Sequence, residues 1–151
     1  MRVSPLEPSE MVATKIAANP RIICAAPDYI ARFGKPETIA DLISYPCIKL
    51  HGIDTWPFIR KGAAERVRID GPISTSTVDA VRSAAIAGVG VAMMTYWDVH
   101  RDLQRGTLEQ IELSDADPDE LNIWALFPSR KQMPPRLRAF IESLRLKFNS
   151  A

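Results

Sequence analysis

A chain of 151 residues suits one domain or two small lobes sharing a chain, and its 46% hydrophobic and 25% charged content is that of a globular protein, which excludes disorder, collagen and coiled coil as global descriptions. A net charge of +1, from 19 basic and 18 acidic residues, gives no electrostatic footprint for DNA, RNA or an anionic membrane surface. No run approaches the roughly 18 consecutive apolar residues of a membrane span, and "MRVSPLEPSEMVATKIAANPR" carries Arg2, Glu7, Glu10 and Lys15 where a secretory signal would be apolar.

Pro5 and Pro8 make the first ten residues loop-like, and "EMVATKIA" reads as one helical turn or a strand edge. "RIICAA" is a continuous apolar run with β-branched residues, the pattern of a buried strand. Pro27 opens a short helix, "PDYIARF", and Gly34 stops it. "KPETIADLISY" repeats that pattern, with Ile39, Leu42 and Ile43 on one face. "PCIKLHG" reads as a strand ending in a turn. "TWPFIRKG" and "ERVRIDG" read as paired strands joined through Lys61-Gly62-Ala63-Ala64. In the second, Arg66 and Arg68 alternate with Val67 and Ile69, the period of a half-buried strand. Both cysteines, Cys24 and Cys47, sit in apolar runs without metal or redox spacing and are expected to be buried, reduced thiols.

Gly71-Pro72 breaks the second strand, and a helix is expected over Thr77 to Ala87, with Val78, Val81, Ala85 and Gly88 inward. "VGVAMM" reads as a strand and "YWDVHRDLQRG" as a helix stopped by Gly106. "TLEQIEL" is a strand, "SDADPDE" a solvated acidic turn and "LNIWALFP" another strand. In "PPRLRAFIESLRLKF", Leu137, Phe140, Ile141, Leu144 and Phe148 share one helical face. Strands alternating with helices over short crossovers predict an α/β fold, a sheet covered by helices.

Catalytic and metal motifs are missing from the sequence. His51 sits in a turn and His100 on a helix, neither beside a nucleophile, and G-x-S-x-G, H-E-x-x-H and C-x-x-C do not occur. The acidic stretch lacks the glycine and distal glutamate of a calcium loop. No enzyme activity, metal or cofactor is therefore expected. The glycines of "GVG" at 88–90 close a helix and open a strand, the reverse of a dinucleotide fingerprint. Four hydroxyls, Ser74, Thr75, Ser76 and Thr77, precede the helix. Ser76 and Asp79 match a capping box with Asp in place of Glu or Gln, so Ser76 is expected to cap. Two readings stand: a cap alone, or a cap combined with an anion site on the unpaired N–H groups of the helix start.

Taken together, these stretches resemble the effector-binding domain of LysR-type transcriptional regulators. Ala25, Pro27, Tyr29, Gly34, Pro36, Asp41 and Leu42 follow the family's "AxPxYLxxxGxPxxPxDL" core, and "WPFIRKGAAERVRIDGPIST" resembles its hairpin. "VDAVRSAAIAGVGVAMMTYWDV" is similar to the family's alanine-rich helix and strand, with Thr95 where proline is usual; "RDLQRGTLEQIEL" and "IWALFPSRKQMPPRLRAFIESLRLKF" complete the order. The resemblance implies a type II periplasmic-binding-protein-like α/β fold with a small ligand held between two lobes. It places residues 1–26 in a partial first lobe and crossover strand, 27–121 in the second lobe, and 122–151 in the return strand and final helix. It implies effector contacts at Ser76, with Thr75, Thr77 and Ser74 beside it, and at Ser9; His51, Gly52 and Trp56 are expected on loops bordering the same space.

The family's helix-turn-helix and the first strands of its first lobe have no counterpart after Met1, so a fragment or a natural truncation is expected. DNA contact would then come only through that absent domain. The faces of "RIICAA", "IWALFP" and the last helix are expected to lack partners, which favours a homo-oligomer. The leading expectation is a cytoplasmic sensor module binding a small organic anion. A transporter's solute-binding protein, an enzyme on this fold, and a remnant acting only through dimerisation are the alternatives.

Overall fold

The computed structural model describes residues 11–127 and 133–150. In chain order the elements are β1 (Val12–Ala25), α1 (Pro27–Phe33), α2 (Ile39–Leu42), β2 (Lys49–Leu50), β3 (Thr55–Arg60), β4 (Ala63–Arg68), β5 (Ser74–Thr75), α3 (Val78–Ile86), β6 (Ala92–Thr95), α4 (Tyr96–Arg105), β7 (Glu109–Ile111), β8 (Asp117–Pro118), β9 (Glu120–Phe127) and α5 (Pro135–Asn149). The expected α/β alternation is what is found. The chain divides into two compact units: Asn19–Leu121, and the two chain ends up to Ala18 and from Asn122 onward. The divisions fall within β1 and β9, and the part of "EMVATKIA" from Val12 onward belongs to a strand and not to a helical turn.

The larger unit is built on a sheet with β1 in its interior. Residues Arg21 to Cys24 pair antiparallel with β6, and Ile23 to Ala25 pair antiparallel with β7 on the other side. Just before β6, Val91 bridges Cys47 in parallel, with Ile48 N–H donating to the Val91 carbonyl at 2.8 Å and Val91 N–H to that of Pro46 at 2.9 Å. The chain of Cys47 continues into β2, which pairs parallel with β5. The strand order is therefore β5–β2–β6–β1–β7. Gly90 permits the approach of β6 to β2: a Cβ there would stand 2.3 Å from the Pro46 carbonyl oxygen, inside the peptide.

Side-chain alternation along β1 builds a core on each face of this sheet. Ile22 and Cys24 join Val81 and Ala85 of α3, Val99 of α4, Ala92 and Met94. Ile23 and Ala25 join Tyr29 of α1, Ile39 and Leu42 of α2, and Trp56, Phe58 and Val67 of the hairpin. The faces of "RIICAA" thus do not lack partners, contrary to expectation: Ile23, Cys24 and Ala25 are fully covered. Burying a side chain such as Phe58, which is wholly enclosed, contributes on the order of 2–3 kcal/mol.

Three local expectations need correction. The helix in "KPETIADLISY" is a single turn, begun by a reciprocal Thr38–Asp41 capping box, and it leaves Ile43 exposed. The hairpin connection is two residues, not four: Lys61 (φ 50°) and Gly62 (φ 78°) both adopt positive φ, and Ala63 already pairs with Arg60. The acidic stretch is not a free solvated turn. Asp117–Pro118 form β8, which pairs with β3; Asp115 accepts from Ile39 N–H at 3.0 Å and meets Arg60 at 3.2 Å.

In the smaller unit β9 pairs with β1 and α5 packs on one face of the pair. Ile16, Phe127 and Ile141 form the centre, flanked by Ile123, Leu137, Leu144 and Phe148. The Arg145 guanidinium donates twice to the Lys15 carbonyl, at 2.9 and 3.2 Å. Alternation along β9 turns Trp124 and Leu126 to the other side, where they are exposed, and Phe140 and Leu146 are exposed on α5. Phe140 therefore departs from the inward face read in the sequence.

Candidate functional site

The parallel strands β5, β2 and β6 end at one edge of the larger unit's sheet. Register places Leu50 beside Thr75 there, and Arg21, at the start of the opposing β1 segment, beside Thr95. Ligands of open α/β sheets bind outside such carboxyl ends, because the flanking crossovers leave a crevice there. A cavity of about 410 Å³ lies at this edge. That volume is in the range of small-molecule sites.

One wall is apolar: Ile48, Leu50, Trp56, Val78, Val81, Met93 and Met94. The charged lining consists of Arg21, Arg66, Asp98 and Asp119. Arg21 is engaged, donating from Nη1 to the Asp119 carbonyl at 2.9 Å and lying 3.7 Å from its carboxylate. Asp98, on the first turn of α4, accepts from the Thr95 hydroxyl. The helix start favours a negative group at that position. The Arg66 side chain is exposed and, among the described residues, makes no hydrogen bond or ion pair. It reaches the cavity from β4, opposite Pro57 of β3, which also lines it.

Two linked helices form the base of this region. Arg82 of α3 grips the buried Asp102 of α4 with Nε and Nη2, at 2.6 and 2.9 Å, and the Thr107 hydroxyl adds a third bond at 3.1 Å. Arg82's hydrogen bonds hold the Asp102 carboxyl below its usual range, against the opposing effect of burial. Because Val81 precedes Arg82 and Asp98 lies one turn before Asp102, this pair fixes two elements that line the cavity.

The hydroxyl run behaves differently from its sequence reading. Thr77, not Ser76, is the N-cap: its oxygen accepts from Ala80 N–H at 3.2 Å. Thr75 donates to the Thr77 carbonyl at 3.1 Å. Both threonine hydroxyls are thus committed locally, while Ser74 and Ser76 are exposed without a side-chain partner among the described residues. The threonine wins the cap because β5 ends at Thr75, which leaves Thr77 as the extended residue preceding the helix. None of the four hydroxyl residues lines the cavity; its lining begins at Val78, which is exposed rather than inward. His51 is exposed in the turn after β2, with its N–H donating to the Thr75 carbonyl at 2.6 Å. Gly52 also lies in that turn, at φ 80°. Trp56 does line the cavity, but from strand β3 and buried, not from a loop. Ser9 lies outside the described residues.

Sequence reasoning missed Arg21 and Arg66. Arg66 was legible only as an outward position of an alternating strand; nothing local in "ERVR" says that this face borders a cavity. Among the described residues no cluster of His, Cys, Asp or Glu is suited to a metal ion. Burial pushes the thiols of Cys24 and Cys47 up to about 12, so they are poor nucleophiles and redox groups. No helix among the described residues is long and apolar enough to cross a membrane.

Residues 1–149 match the family model of the LysR substrate binding domain. The HTH-type transcriptional regulator DmlR of Escherichia coli is 31% identical over 142 residues, which cover 91% of this chain and 46% of that protein. The HTH-type transcriptional activator TtdR of Escherichia coli is 27% identical over 150 residues, 95% of this chain and 47% of that one. The chain thus spans about half the length of these relatives. The regulatory domain of AphB from Vibrio vulnificus matches with a TM-score of 0.75 at 26% identity, over 97% of this chain and 72% of that chain. The CrgA regulatory domain from Neisseria meningitidis, at 22% identity and a TM-score of 0.74 over 97% of this chain and 73% of that one, shares the fold.

Proposed function

The chain belongs to the LysR substrate binding domain family, with its periplasmic-binding-protein-like α/β fold, and from that premise we propose that it is a sensor module that holds a small anionic effector in the cavity at the carboxyl edge of the larger unit. The observation that carries this reading is the cavity itself. An apolar wall ending in Trp56, with an unpaired guanidinium at Arg66, suits a compact organic anion. Ser76 and Ser74 are proposed as outer contacts, because their hydroxyls are exposed beside the start of α3 and uncommitted; Thr75, Thr77 and His51 frame them through backbone and cap bonds. Ser9 is proposed by family resemblance alone.

In a whole regulator the effector would act by population shift, binding one arrangement of the protein better than another and so changing the geometry of attached DNA-binding domains, in the cytoplasm. The relatives named above are regulators rather than transporters or enzymes, which favours this reading over the alternatives. We also propose self-association through Trp124 and Leu126 of β9, whose exposed apolar side chains a second copy would cover. Light scattering showing a monomer at high protein concentration would exclude it.

The effector proposal is tested by thermal shift with a panel of small carboxylates on the wild type, Ser76→Ala and Val78→Trp, the last filling the cavity from an exposed lining position. Ligand at about 100 times its Kd stabilises by about 2.7 kcal/mol, a readily measured rise in Tm. Stabilisation that Val78→Trp abolishes and Ser76→Ala weakens is expected. A shift unaltered by Val78→Trp excludes this cavity.

A further inference from the structure

The cavity's charged lining is arranged unevenly, and the unevenness selects a ligand. Arg21 and Asp119 satisfy each other through the backbone bond and the ion pair described above. Asp98 is exposed and accepts from the Thr95 hydroxyl in the first turn of α4. Arg66 is the remaining charge. It faces the same side of the hairpin as Thr55 and Pro57, both of which line the cavity, while its neighbour Val67 turns into the core. Met93, Val81, Val78 and Trp56 line the same cavity, and none of these carries charge.

We propose that Arg66 is the specificity-determining residue of this site, reading a single carboxylate on a ligand whose other end is an apolar body. The inference rests on the effector-site reading above and goes further by assigning the charge recognition to the β4 arginine and by fixing the ligand's polarity. A guanidinium offers two parallel N–H donors to a carboxylate, which suits one planar acid group better than scattered hydroxyls. The side chains of Ile48, Leu50, Val78, Val81, Met93 and Met94 give an apolar body a surface to cover. A cationic ligand would meet Arg66 with like charge.

The test uses the whole chain and four probes: phenylacetate, acetate, 2-phenylethanol and phenethylamine, with affinities from isothermal titration. Phenylacetate is expected to bind at least tenfold more tightly than acetate, which lacks the apolar body, and than 2-phenylethanol, which lacks the charge. Arg66→Ala should weaken phenylacetate about tenfold or more and leave 2-phenylethanol unchanged; Arg66→Lys should retain part of the preference. Arg66 is exposed, so both variants should fold as the wild type does, with thermal unfolding as the control. The proposal is overturned if Arg66→Ala binds phenylacetate within twofold of wild type, if phenethylamine binds best, or if no probe binds. A ligand of another class that Val78→Trp excludes but Arg66→Ala tolerates would leave the effector-site reading standing and remove this one.

Discussion

Replacing Arg82 with Met tests whether the α3–α4 pair holds the cavity's base together. The two partners are unequal: the Asp102 side chain is 5% exposed and that of Arg82 34%. Arg82→Met removes both charge-assisted bonds and leaves a buried carboxylate held by the Thr107 hydroxyl alone. Breaking a buried pair in this way costs on the order of 3–5 kcal/mol, and the partial exposure of Arg82 puts the expectation near the lower end, about 3 kcal/mol. Asp102→Asn keeps the shape and one acceptor while leaving an arginine that can turn to solvent, so about 1–2 kcal/mol is expected. The pH dependence follows from the direction of the Asp102 shift. In the wild type its lowered pKa contributes stability that is present above the unfolded value of about 3.9 and is lost as pH falls through the folded value. In Arg82→Met the largest lowering cause is gone, and burial is opposed only by the Thr107 hydrogen bond and the Arg105 charge, so acid relieves the mutant. The difference between the two proteins should be largest at neutral pH and shrink towards about pH 4. Urea unfolding followed by the fluorescence of buried Trp56 reads this directly. A destabilisation below about 0.5 kcal/mol at neutral pH, or a difference independent of pH, would refute the reasoning.

Gly90→Ala should prevent folding or lower the urea midpoint sharply, because its Cβ would overlap the Pro46 carbonyl; a mutant with unchanged midpoint would mean that β2 and β6 are spaced otherwise. Thr77→Ala should cost about 1 kcal/mol by loss of the α3 cap and Ser76→Ala close to nothing, a ranking that denaturation curves would reverse if Ser76 were the cap. Cys24 and Cys47 should react with a thiol reagent at mildly alkaline pH only as fast as the protein unfolds; fast labelling of the native chain would contradict their burial.

How far the sequence could be read follows from the range of the forces involved. Period and punctuation are local, so β1 through "RIICAA", the proline-started and glycine-stopped α1, and the Gly88 and Gly106 helix stops were all legible. What depends on distant chain was not. Nothing beside Thr77 says that β5 ends two residues earlier and hands the cap to it. The acidic stretch looked solvated because its partners, Ile39 and Arg60, lie far away in sequence. Arg66 looked like the solvent side of an ordinary strand because the elements across the cavity, α3 and β6, come later in the chain. The family resemblance pointed to the hydroxyls before α3, whereas the cavity lining on that helix starts one residue further on, at Val78.

The central claim is that the cavity in Asn19–Leu121 binds a small anion, and amide chemical-shift mapping of the labelled chain during titration with phenylacetate tests it most directly. Saturable shifts are expected to cluster at Leu50, Trp56, Arg66, Val78, Met93 and Thr95, with Trp124 and Leu126 unmoved. Shifts centred on any other surface, with those six residues still, would contradict it.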